Sequence, residues 1–175
     1  MTRSRRLALA VGIALLALAP TTVFAASASE SISGVELGIP TPCGPSGSTD
    51  SISTFGGSAT GTINGVWSAS VCHTELSIAP GLAATISGGS YRVAGFRGWH
   101  YVKVVGSFTS GSIPAGIEND HVVKGVGTCT QVFAVSINGT GPSTFTATLK
   151  HYGLFFSGSC HVVSATLNGV GQITY

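Results

Sequence analysis

The chain has 175 residues, 25 of them glycine and only 8% charged, and eight Lys and Arg against six Asp and Glu give a formal charge of +2. Arg3, Arg5 and Arg6 stand at the extreme N-terminus; the rest carries Arg92, Arg97, Lys103, Lys124 and Lys150 against Glu30, Glu36, Asp50, Glu75, Glu118 and Asp120, a formal charge of −1. A nucleic-acid partner is not expected, because displacing counterions from phosphates takes clustered cations.

The first element is "MTRSRRLALAVGIALLALAPTTVFAASASE". A basic head, the apolar run Leu7–Ala19, the break at Pro20 and small residues from Ala25 to Ala28 have the order of a secretory signal. The run is shorter than the roughly 20 residues of a membrane-spanning helix. The sequence predicts a cleaved signal over 1–28, cut between Ala25 and Ser29, and a single β-rich domain over 29–175. Arg5-Arg6 lacks the bulky apolar follower of a twin-arginine signal, and neither cleavage site offers a lipid-accepting cysteine.

Beyond Ser29 no helical period of 3.6 emerges, whereas period two is plain. "WHYVKVVGSF" sets Val102, Val104 and Phe108 opposite Trp99, Tyr101 and Lys103; "TCTQVFAVSI" gathers Cys129, Phe133, Val135 and Ile137; "STFTATLKHY" sets Phe145, Ala147 and Leu149 against three threonines and Lys150. Such alternation makes half-buried strands. Asn64-Gly65, Asn138-Gly139 and Asn168-Gly169 are hairpin signals, since both residues tolerate positive φ. The first and third read as two-residue turns, and Pro142 suggests a longer loop after the second. The fold class is all-β: an antiparallel β-sandwich or β-barrel of roughly eight to eleven short strands, stapled by disulfides. The sandwich is favoured of the two, because four cysteines commonly join facing sheets in exported domains.

Those cysteines are Cys43, Cys72, Cys129 and Cys160. In an exported chain they read as two disulfides, and proximity favours Cys43–Cys72 with Cys129–Cys160. Each would close a loop of about 30 residues, worth roughly 3 to 4 kcal/mol on the chain-entropy model. Cys160-His161 and Cys72-His73 are not nucleophile–base pairs on this reading, because consecutive strand residues point to opposite faces. "GTCTQVFAVSINGTG" and "GSCHVVSATLNGVG" echo one another with a one-residue difference between Cys and Asn, so a bulge is needed to superpose them.

Neither a metal nor a cofactor is implied, since His73, His100, His121, His151 and His161 lack ligand spacing. "IENDH", Ile117–His121, reads as a solvated loop. A hard-cation site or an acid–base pair there is the sharper alternative. The segment "YRVAGFRGWHYVKV" supplies candidate ligand-binding residues Trp99, Tyr101, Arg97 and Lys103, rings and donors suited to a sugar or a protein. The plainer expectation is that these rings cover one end of the core. The Thr144/Thr146/Thr148 row lacks the repeat an ice-binding array would need. These readings predict a secreted, non-enzymatic β-domain with a binding or structural, protective role at the cell surface or in the medium. A polysaccharide or cell-surface protein is its expected partner, and no membrane partner is expected after signal cleavage. The alternatives are a secreted hydrolase using residues Glu118 to His121, and an envelope β-barrel or pore-forming protein.

Overall fold

The computed structural model describes residues 26–46 and 48–174; most of the expected signal lies outside them. Its elements are β1 (Ser27–Glu36), β2 (Thr41–Pro42), β3 (Ser51–Gly61), β4 (Asn64–His73), β5 (Ala83–Arg97), β6 (His100–Pro114), β7 (Ile117–Val123), β8 (Val126–Gly139), β9 (Thr144–Phe156) and β10 (Ser159–Thr174). Their order around the sheet is β1-β10-β9-β8-β6-β5-β4-β3, and β1 pairs β3 as well as β10. Eight antiparallel strands therefore close into a barrel. β2 is added at the edge of β3 and β7 at the edge of β8.

Period two sorts the side chains. Phe133, Val135 and Ile137 of β8, Phe145 and Leu149 of β9, and Val104 and Phe108 of β6 point inward and are buried, on the faces their alternation predicts. Trp67, Ala69 and Val71 of β4 join them. An eight-stranded barrel is just wide enough for its own side chains to fill. Here the void left among Ile32, Phe55, Trp67, Phe108, Val135 and Phe145 is about 30 Å³. The outer surface carries the exposed residues Ser27, Ser29, Ser31 and Ser33 on β1 and Thr144, Thr146 and Thr148 on β9. An interior filled by its own apolar side chains differs from the polar lumen of a bilayer-spanning barrel.

Both expected disulfides are present, Cys43–Cys72 and Cys129–Cys160, and they suit an oxidising environment. They correct the leaning toward a sandwich, because neither joins facing sheets. Cys129 of β8 and Cys160 of β10 lie on either side of β9, over Gly153. Cys43 and Cys72 likewise flank the start of β3, where Pro42 pairs with Ser51 and Ile52 with Cys72. In a flat sheet alternate strands stand about 9.6 Å apart, yet Cys129 and Cys160 have Cα atoms 5.8 Å apart. The sheet must fold sharply at β9 for this bond to form.

Two of the three Asn-Gly pairs do not form the turns they predict. Asn168-Gly169 lies inside β10, where Asn168 pairs with Thr148 and Gly169 with Ala147. A Cβ on Gly169 would come 2.4 Å from the Thr146 carbonyl oxygen, so this glycine serves close strand approach rather than a turn. Asn64-Gly65 opens β4 just after the β3–β4 turn, and only Asn138-Gly139 leads into the longer loop expected of it. The tight hairpins turn instead at Lys124-Gly125 and Ser157-Gly158, where both residues of each pair have positive φ, as a type I′ turn requires. The echo between β8 and β10 is structural: these strands flank β9, and a bulge at Val162/Ser164 brings Cys160 into the inward phase.

Candidate functional site

Extending the buried faces by two residues at one end of the barrel replaces apolar side chains with polar ones. On β4 the series Trp67, Ala69, Val71 ends in His73; on β9 Phe145, Ala147, Leu149 continues to His151; on β3 Phe55 is preceded by Ser53. Gln131 of β8 and Glu36 of β1 complete this layer. It lines a recess of about 860 Å³, with Val35, Ile39, Leu76 and Val162 at its rim. Mouths of β-barrels are favoured ligand sites because they are concave and rigidly framed. Two bulges shape this one, at Cys72/His73 against β5 and at Val162/Ser164 in β10, as is common where a side chain must be re-aimed.

Ser53 and His73 are both buried, and Ser53 Oγ lies 3.2 Å from His73 Nε2. His73 Nδ1 is 2.7 Å from the Thr74 carbonyl oxygen. A carbonyl only accepts, so Nδ1 carries the proton, and in the neutral ring Nε2 accepts from the Ser53 hydroxyl. His151 meets the Phe133 ring edge to face at 5.3 Å. Gln131 Nε2 donates to Glu118 Oε2 at 2.6 Å. Among the described residues the recess is bordered by Glu36 and Glu75 and by no Lys or Arg, so its field favours a positive group.

Burial holds the His151 imidazole below its ordinary value; the Glu36 carboxylate draws it partly back up, and His73 adds a smaller push down. A histidine so held takes up its proton at lower pH than the unfolded chain does. Its contribution is therefore nil above about pH 6.5, and stability is lost as pH falls below that value toward the folded pKa. His151→Asn is expected to flatten this acid limb in urea unfolding measured at several pH values. An unchanged difference between wild type and variant at neutral and at mildly acid pH would contradict the assignment.

The residues singled out by sequence lie elsewhere. β4 runs from Asn64, beside the β5–β6 hairpin tip, to His73 in the recess, so hairpin and recess occupy opposite ends of the barrel. Trp99 stands in the hairpin turn and is 97% exposed, which overturns the expectation that it covers the core. Tyr101 and Lys103 are exposed on the outer face of β6, and Arg97 is exposed on the opposite face, paired with His100. Ile117–His121 is strand β7 rather than a loop, so Glu118 and His121 point to different faces. His161 stacks on Phe156 at 3.8 Å, away from any thiolate chemistry. Among the described residues no group of three His, Cys, Asp or Glu side chains is placed to hold a metal ion. Comparison with protein-family models, curated proteins and solved structures gave no match to this chain.

Proposed function

We propose that the mature chain is an exported β-barrel that binds a small amphipathic molecule with a basic end in the recess at its mouth. The observation that carries this reading is the polar inward layer of Ser53, His73, His151, Gln131 and Glu36 set directly above an apolar interior. A structural barrel gains nothing by ending its core in five polar side chains around an open volume. The apolar part of the ligand packs on Val35, Ile39 and Leu76. Its cationic head lies toward Glu36 and Glu75. Secretion is supported by the leader-like N-terminus together with the two disulfides. Ala28 is buried and pairs with Ile173, so cleavage after Ala25 would keep β1 whole, whereas cleavage after Ala28 would strip its first inward side chain.

The test is calorimetric titration with dodecylamine, dodecanol and dodecanoate. The amine is expected to bind at least about tenfold more tightly than the carboxylate, a difference of about 1.4 kcal/mol. Glu36→Gln should erase most of that preference. Equal binding of all three would remove the charge argument, and no binding by any would remove the site.

The Ser53–His73 hydrogen bond favours one second reading, an acyl-transfer enzyme with Ser53 as nucleophile and His73 as base. Covalent labelling of Ser53 by a fluorophosphonate, lost in His73→Gln, would establish it. An unlabelled, ligand-binding protein leaves the serine as a binding group.

A further inference from the structure

At the opposite end of the barrel, we propose, the β5–β6 hairpin docks the protein onto a membrane surface bearing anionic headgroups. The proposal is independent of the recess and of what it binds. It departs from the sequence expectation of no membrane partner, which weighed only a chain that spans the bilayer.

Three features converge on this hairpin. The first is its projection: β8 ends at Gly139 opposite Phe108, so residues 100–106 of β6 run on with no strand beside them on that side among the described residues. The second is apolar exposure. Phe96 and Tyr101 pair across the hairpin with rings 5.8 Å apart, and both are more than half exposed, as are Val66 of β4 and Val105 of β6 on the same outer face. Trp99 crowns them at the turn. The third is charge. Arg92 and Lys103 lie on this outer face and Arg97 near the tip, three of the five cations that follow the signal, and no acid occurs between Glu75 and Glu118.

A membrane interface fits this combination better than a sugar does. The Phe96 and Tyr101 rings stand 75° to one another, so they offer no common plane on which a sugar ring can stack. Val66 and Val105 contribute nothing to such stacking. A convex tip of Trp, Phe and Tyr suits a soft boundary where the rings sit at headgroup depth. The surrounding cations meet lipid phosphates there, each weighing on partition by about fivefold near an anionic surface at low salt.

The experiment uses the mature protein with vesicles of phosphatidylcholine alone and of phosphatidylcholine mixed with phosphatidylglycerol. Sedimentation should show binding to the mixed vesicles that weakens as salt is raised. Trp67 is buried and Trp99 exposed, so a blue shift on binding and quenching by lipids brominated in the acyl chain report on Trp99. Trp99→Ala should lower vesicle affinity roughly tenfold or more with an unchanged melting temperature. Arg92→Gln and Lys103→Gln should each lower it about fivefold on the mixed vesicles only. Failure to bind either vesicle overturns the proposal, as does binding without acyl-chain quenching or a Trp99→Ala protein that binds as well as wild type. Trp99-dependent binding of a soluble anionic polysaccharide with no vesicle binding would assign the face to a glycan instead.

Discussion

Replacing Gly153 by alanine is expected to leave Cys129 and Cys160 unbridged and to cost about 3 kcal/mol or more. Gly153 lies on β9 directly beneath the bond, and a Cβ there would sit 2.8 Å from Cys129 Sγ, 2.9 Å from Cys160 Sγ and 2.6 Å from the His161 carbonyl oxygen. Two of these contacts are with the disulfide itself and the third is with backbone, so no flexible side chain can swing aside. The bond joins residues 31 apart in sequence, and on the chain-entropy model opening a loop of that length costs about 3 to 4 kcal/mol. Alkylation before and after reduction, followed by intact-mass measurement, counts the thiols. Urea unfolding beside the Cys129→Ser/Cys160→Ser double variant gives the energy. A Gly153→Ala protein with no alkylatable thiol and wild-type stability would show that β9 can shift out of the way.

Phe133→Ala should be the most damaging single truncation in the interior, with a loss of about 3 to 5 kcal/mol. Phe133 is 1% exposed and is the largest of the fully buried side chains. Its ring packs so closely on Gly116 that a Cβ there would come 2.4 Å from Cε1, while His151 meets it from the recess side. The truncation therefore removes both core packing and the ring against which His151 of the recess rests. Ligand affinity should fall together with the denaturant midpoint. A loss under about 1 kcal/mol would mean that the neighbouring side chains collapse into the space, and the placement of His151 would then not depend on this ring.

Period two made the inward faces of β6, β8 and β9 legible, because alternation is a local property and burial follows it directly. The recess was legible by the same rule had it been carried two residues further. Leu149 leads to His151 and Val71 to His73, at positions where an inward polar residue is costly unless something meets it. Closure was not legible. It depends on β1 finding β3 on one edge and β10 on the other, and pairing across 143 residues leaves no mark in a window of ten. The turns failed for a physical reason: glycine answers equally to positive φ and to close strand approach. Asn168-Gly169 uses the second property, whereas Lys124-Gly125 and Ser157-Gly158 use the first with residues less typical of the role. Alternation puts Trp99 on the face of Lys103, but it could not show that this hairpin runs past the end of β8.

The direct opposition of Ser27 and Thr174 in the β1–β10 ladder makes this barrel a ring whose seam is arbitrary. Every wall strand adjoins its predecessor and successor, and the first adjoins the last. A short peptide joining the two ends would turn the wall into an unbroken circuit of hairpins. The chain could then be reopened at Lys124-Gly125, where the turn makes no contact that a Cβ on Gly125 would disturb, giving a circular permutant with the same core in a different order of synthesis. The cut lies outside both bridged loops, so each disulfide would close a loop of unchanged length across the same strands, and comparing permutant and parent would isolate what the order of the strands along the chain contributes to folding.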